Sequence, residues 1–206
     1  MADLIESQDA AIASYPFGDI EEGLGFVTYY LYKDADTSGS EYNMGKTTVY
    51  STDISENIND DLITRDFYSA KFNLPRILLG TAVFNFTAGY RVGAGASSYI
   101  TLKLYHYDGT TSTQLGSTWQ SPTKSYGGGN ETATRLAKIS VNSPQKFKKG
   151  DQIRLEVETV NTGPSNKGDT SYGFDPQNRD NSPITPSTNA NHFTTFTCLI
   201  PFRVGL

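Results

Sequence analysis

Acidic residues spaced two apart in a short polar run are the first candidates for chemistry. The run Asp34-Ala35-Asp36-Thr37-Ser38-Gly39-Ser40-Glu41 opens as a calcium loop opens. Hard cations take several oxygens, and carboxylates at alternate positions supply them, with a glycine for the sharp turn. Asp34, Asp36 and Ser38 are the candidate ligands, and calcium is the one cofactor suggested. The closing bidentate glutamate is missing, because Gly45 stands in its place, so a polar hairpin loop with Asx turns is the competing reading. Nucleophilic catalysis by Ser or Cys needs a base within hydrogen-bond reach, and the only histidines are His106 and His192. His106 ends an inward-facing row and His192 leaves a polar segment. Neither has a visible nucleophile or ligand partner, so neither is expected to be catalytic. Cys198, the only cysteine, lies in the apolar run 196–200 and reads as a small buried hydrophobe. Glycan hydrolysis would need two facing carboxylates. Glu156 and Glu158 alternate with apolar residues and read instead as the wet face of a strand. Sugar binding needs an aromatic platform, for which Trp119, Tyr105, Tyr107 and Tyr126 are the candidates. A core or a subunit interface uses the same residue types.

Strands must position these groups. In Gln152–Glu158 the residues Ile153, Leu155 and Val157 alternate with Arg154, Glu156 and Glu158, the pattern of a strand with one dry face. Ile100, Leu102 and Leu104 repeat it, as do Ala137, Ile139 and Val141, and Ala82, Phe84, Phe86, Ala88 and Tyr90. Residues 26–33, 46–54, 114–120 and 194–204 are further strand candidates, and 63–68 a weaker one. Asp108-Gly109 and Lys149-Gly150-Asp151 are tight-turn signals. The composition agrees: aromatics make up 12% of the chain, mostly Tyr and Phe, and aromatic side chains suit a pleated, half-buried surface. A length of 206 residues lets a single domain bury roughly 70% of its unfolded surface without a metal or a disulfide. The expected fold is all-β, an antiparallel two-sheet sandwich resembling a jelly roll, with a closed barrel second.

The net charge is −5 and Lys and Arg form no stripe, so neither nucleic acid nor an anionic membrane is an expected partner. No signal-peptide pattern opens the chain and no apolar stretch is long enough to span a membrane. Two segments stand apart. Residues 1–25 read as an N-terminal arm or short helix, with 26–206 as the domain. Residues 161–191 read as a long polar loop before the last strand.

The stretch Tyr99–Asp108, then Leu115–Gln120, Arg135–Val141 and Phe147–Leu155 resembles the sandwich domains of phage and viral virion proteins. So do the segment Tyr172–Asp180 and the close Ile200-Pro201-Phe202-Arg203-Val204. The resemblance covers about the last half of the chain and marks a strand order, not a chemistry. It implies a non-enzymatic virion structural protein, a capsid decoration, minor capsid or tail-associated subunit, assembled in a host cytoplasm. Its expected partners are other virion proteins and further copies of itself. Leu4, Ile5, Ile12, Tyr15 and Phe17 would anchor the arm on a neighbour, and Tyr172, Phe174 and Ile184 the long loop. A carbohydrate- or receptor-binding module of a virion fibre or tail is the first alternative, and a glycan hydrolase the second.

Overall fold

The computed structural model describes residues 24–36, 39–53, 55–58, 62–93, 95–125, 131–162, 168–179 and 194–204. Among these no residue is helical. The strands are β1 (Leu24–Asp36), β2 (Gly39–Gly45), β3 (Ser55–Ile58), β4 (Leu62–Ser69), β5 (Arg76–Val92), β6 (Ser97–Tyr107), β7 (Ser112–Gln120), β8 (Lys124–Ser125), β9 (Glu131–Phe147), β10 (Gln152–Thr162), β11 (Gly168–Gly173) and β12 (Thr197–Val204). They form the expected sandwich. One sheet runs β9-β5-β12-β1-β2. In it β11 takes over from β12 along the second half of β5 and carries β3 on its far edge. The other sheet runs β4-β10-β6-β7, with β8 also on β6. Hydrogen bonding is continuous between the two because β2 and β4 pair in parallel, but only at Asn43↔Tyr68 and Met44↔Ser69. Every other pairing is antiparallel. Across the sandwich β7 lies against β9 so closely that a Cβ on Gly116 would stand 2.5 Å from the Ser140 carbonyl oxygen, and Gly116 itself holds φ 70°.

Alternation builds the core. Ile100, Leu102, Leu104, Ala137, Ile139, Val141, Ile153, Leu155 and Val157 are all buried, as a period of two with one dry face requires. Phe86 stacks on Phe196 at 4.5 Å, and Phe72 meets Phe147 and Phe202 edge-on. Each such side chain stabilises the fold by about 1.5–3 kcal/mol through burial. The turn signals are realised too. In the β6–β7 hairpin the Asp108 carboxylate accepts the amides of Thr110 and Thr111 at 2.9 and 2.7 Å, beside Gly109 at φ 95°.

Three local expectations change. The strand expected over 46–54 does not form over the described residues 46–53; β2 precedes it, pairing with β1 as a tight hairpin that closes at Asp36↔Gly39. The Ser51 hydroxyl donates to the Asp53 carbonyl and accepts the Lys33 amide, local bonds that compete with a ladder. The long loop expected over 161–191 contains β11. Residues 169–176 are buried without interruption, and that burial hides the strand from an alternation test. Tyr172 and Phe174, offered as anchors for a neighbouring subunit, are at 0% exposure in this chain's own core. Leu4, Ile5, Ile12, Tyr15, Phe17 and Ile184 lie outside the described residues, as does nearly all of the expected arm.

After β11 the chain turns a built corner. Gly173 packs under Thr194, whose carbonyl would be 2.5 Å from a Cβ at that position. The Asp175 carboxylate, at 0% exposure, accepts the Gln177 amide at 3.2 Å and the Arg179 amide at 2.7 Å, with the Arg179 Nε at 3.2 Å. Arg179 in turn donates to the Ser51 carbonyl and lies 3.8 Å over the Tyr50 ring. Asn178 adopts φ 49°, which Asn tolerates better than most residues, and its side-chain oxygen accepts the Thr194 amide at 2.8 Å.

Candidate functional site

Because Ile153, Leu155 and Val157 face inward, Gln152, Arg154, Glu156 and Glu158 face out. Residues directly opposite on neighbouring strands share a face. The register therefore sets Tyr68–Arg154–Tyr105, Asp66–Glu156–Lys103 and Thr64–Glu158–Thr101 in three rows, with Gln152 opposite Tyr107 beyond them. The rows are tied by charge. Arg154 reaches Asp66 Oδ2 at 3.3 Å and Glu156 Oε2 at 3.0 Å, and Lys103 Nζ reaches Glu156 Oε1 at 2.7 Å and Glu158 Oε2 at 3.0 Å. The Arg154 guanidinium lies 4.1 Å from the centre of the Tyr105 ring, and Tyr68 meets Tyr107 edge-on at 5.4 Å. Charge-assisted bonds and a stacked guanidinium make this an ordered surface rather than a set of loose surface pairs.

The lattice is not fully satisfied. Asp66 Oδ1 and Arg154 Nε are buried and have no hydrogen-bond partner. Burial raises the Asp66 pKa above the usual carboxylate range; Arg154 opposes the rise and the charge of Glu156 adds to it. Burial and the Glu156 charge also raise the Tyr105 phenol. Lys103 is held protonated above its usual range, chiefly by the hydrogen bond with Glu156. Burial works against the charge on Arg154, but Asp66, Tyr68 and Glu156 more than restore it.

A cleft of about 610 Å³ opens beside these rows, between β2 and β4 on the side that leads up to their two shared pairs. Asp66, Tyr68, Tyr107, Gln152 and Asn43 line it, and Tyr42 and Arg65 form its other wall. Tyr42 is fixed by edge-on contact with Phe67 at 5.2 Å, with Arg65 at 5.4 Å from the ring centre. Rigid aromatic walls with a few convergent polar groups are the usual makeup of a ligand site.

The structure keeps two of the four expected platform residues together. Tyr105 and Tyr107 are on this face. Trp119 sits opposite Leu102 and packs edge-on against Phe86 at 6.0 Å, so it belongs to the core side. Tyr126 lies outside the described residues. Tyr68, Asp66 and Arg154 were not singled out from the sequence; the parity of Asp66 and Tyr68 in the weak strand at 63–68 is the signal that points to them. Asp34 is exposed at the end of β1 opposite Glu41. Asp36 is in the same strand, and Ser38 lies outside the described residues. His106 sits at the sheet rim, its Nε2 2.6 Å from Asp151 Oδ2, which also accepts the Lys148 amide at 2.7 Å. Its ring packs on Phe147 at 4.2 Å. His192 lies outside the described residues, and Cys198 is fully buried with its thiol pKa pushed well up by that burial.

No family model matches the sequence, and no curated protein matches it. Solved structures do match in shape. An α-amino acid ester hydrolase aligns at TM-score 0.53 and 11% identity, over 86% of this chain and 36% of that one. An aminopeptidase from a marine sediment archaeon, Thaumarchaeota archaeon, aligns at TM-score 0.50 and 7% identity with the same coverage. A CocE/NonD family hydrolase from Staphylococcus aureus aligns at TM-score 0.41 and 12% identity, again over 86% and 36%. The fold is shared with hydrolases. The chain spans about a third of their length, and at these identities the likeness concerns the fold alone. It corrects the earlier expectation. A non-enzymatic capsid decoration or minor capsid subunit, with virion partners and a virion location, gives way because the two structures reported above at a TM-score of 0.50 or more are an ester hydrolase and an aminopeptidase. The strand order read from Tyr99–Leu155 belongs to the sandwich and does not separate one use of it from another.

Proposed function

We propose that this chain is a β-sandwich module of a hydrolytic system, and that its task is to hold a polar polymer, a glycan by preference, across the outward face of β4, β10 and β6. The observation that carries the reading is the cleft of about 610 Å³ bordered by Tyr68 and Tyr107 and backed by the Asp66–Arg154–Glu156 network. Tyrosine rings offer apolar faces to the C–H surface of a sugar, and prearranged carboxylate and guanidinium groups accept and donate to its hydroxyls. The likeness to two hydrolases that hold a domain of this shape within a longer chain supports the hydrolytic context. Calorimetric titration against a panel of soluble oligosaccharides tests it. Tyr68→Ala and Tyr107→Ala should each weaken binding about tenfold or more, the ~1.4 kcal/mol expected on removing an aromatic contact, with the melting temperature nearly unchanged. Equal binding by wild type and both variants would overturn the reading.

One observation favours a second reading, hydrolysis by the face itself. Asp66 holds its proton more tightly than an ordinary carboxylate and lies beside Glu156, as a general acid beside an ionised partner does. Polymer cleavage by the purified chain that disappears in Asp66→Asn, with binding retained, would select it. Binding without cleavage selects the first.

A further inference from the structure

The two outer faces of the sandwich differ in kind. On β4, β10 and β6 the carboxylates and cations are paired with one another. On β9, β5, β12 and β1 the outer face carries one sign of charge. Directly opposite residues share a face, so Lys138, Val83 and Leu199 form one row of it, and Lys146, Ile77 and Arg203 another. Leu136 stands at one corner and Phe26 at the opposite one. The segments that build the face, 136–146, 77–85, 197–203 and 26–30, contain no Asp or Glu, although the whole chain has 22 acids against 17 bases. Lys138, Lys146 and Arg203 are exposed and make no ion pair with any described residue. Phe26 is 62% and Leu136 60% exposed, and Val83, Leu199 and Ile77 are partly open between them. Single exposed apolar residues need no explanation, but a contiguous apolar face rimmed by charge marks an interaction surface. Cations without acids among them set up a positive field there even though the protein as a whole is acidic.

We propose that this face docks a folded protein whose own surface sets Asp and Glu side chains around an apolar strip. Strand spacing and rise make the face roughly 15 by 20 Å, the scale of the dry centre of a protein interface. Phe26, Leu136, Val83, Leu199 and Ile77 supply that centre. Lys138 and Lys146, on the outermost strand β9, supply a charged rim, and Arg203 lies within reach of a carboxylate brought against the face. A second copy of this chain seated face to face would set cations against cations, whereas an acidic surface complements them. The inference goes beyond the reading of the cleft as a glycan site and does not depend on it. The two faces are on opposite sides of the sandwich, so polymer and protein partner are held at the same time.

The test is photo-crosslinking of the full chain in the cell that produces it, with benzoylphenylalanine placed at Phe26 or at Leu136, followed by mass spectrometry of the joined peptides. The same group at Thr118, exposed on β7, is the control. The expected result is one discrete adduct, common to positions 26 and 136 and absent from 118, whose partner peptide is rich in Asp and Glu. Lys138→Glu/Lys146→Glu, two exposed changes that leave the core and the melting temperature as they are, should lower its yield at least tenfold. Changing the acids nearest the crosslink in the partner to Lys should restore the yield with that double variant. No adduct from either position, or adducts only with lipid, with nucleic acid or with a second copy of the chain, would overturn the proposal. An adduct whose yield ignores the charge reversal, or is not restored by the compensating change, would overturn it as well. None of these readouts uses an oligosaccharide, so failure here leaves the glycan site standing, and failure of the glycan site leaves this face to be judged on its own.

Discussion

Asp175 and Asp66 are two aspartates withdrawn from water in opposite ways. Asp175 is entirely buried and surrounded by donors: two backbone amides and the Arg179 side chain converge on its two oxygens. Asp66 is only partly buried, yet one of its oxygens meets no donor at all. The first carboxylate organises a corner of the chain. The second keeps unused capacity beside a cleft. Depth of burial does not separate a structural carboxylate from one available to a ligand; completeness of its hydrogen bonding does.

The largest expected effect follows from changing both in the same way. Asp175→Asn turns one acceptor into an NH₂ that faces existing donors, and should cost about 3 kcal/mol in urea unfolding, the penalty of leaving buried polar groups unmatched. Asp66→Asn should change stability by no more than about 1 kcal/mol at neutral pH, because its bond to Arg154 is long, partly open to water and leaves one Asp66 oxygen unsatisfied. If the two substitutions cost the same, the comparison fails.

That contrast was only partly legible in the sequence. Alternation in 100–104, 135–142 and 152–158 located the core strands, and Asp108-Gly109 and Lys149-Gly150-Asp151 located turns, because those signals are local. β2 was obscured, since Asp34–Glu41 reads as a polar hairpin loop, with a metal loop as the lesser reading, and the strand after it shows no apolar alternation. β11 was obscured because Asp169-Thr170-Ser171-Tyr172-Gly173 is buried at every position, and largely polar, rather than buried at alternate positions. The candidate site depends on the registers of β4 on β10 and β10 on β6, which join positions nearly ninety residues apart, as in Arg154 and Asp66. Tyr105 and Tyr107 could be picked out as aromatics on one strand; their partner Tyr68 could not.

A second expectation sharpens the corner. Gly173→Ala would place a Cβ about 2.5 Å from the Thr194 carbonyl, and the backbone must move to admit it. A loss of about 1–3 kcal/mol is expected, read as a lower urea midpoint, with oligosaccharide titration of the outward face unaffected. Altered ligand binding in this variant would show that the two regions are coupled.

The smallest expected effect is in the pH dependence. The folded chain holds the Asp66 proton more tightly than an unfolded chain with a pKa of 3.8 does. Folding therefore takes up a proton in the window just above that value, and stability owed to Asp66 falls as pH rises through its raised folded pKa. The stability of wild type relative to Asp66→Asn should be greatest below 3.8 and decline to a plateau above the window. Arg154→Met, which removes a cation bonded to Asp66, should move the window to still higher pH in an NMR titration of the Asp66 carboxyl. A window that moves down, or a relative stability that climbs with pH, would show that Arg154 does not govern Asp66.

The position of β12 carries a consequence in time. It lies between β5 and β1, so the first sheet has a gap one strand wide until residues 197–204 arrive. Closing so long a loop adds little to the entropic cost, but pairing so distant in sequence is slow. On the ribosome β1 emerges with its hairpin partner β2, but Leu24–Tyr30 must wait for β12 before that half of the strand is paired. A nascent chain arrested after residue 196 has left the exit tunnel should therefore leave that half of β1 open to protease, and one arrested after residue 204 has emerged should protect it. The order of synthesis, not only the final contacts, decides when this sandwich can first exist.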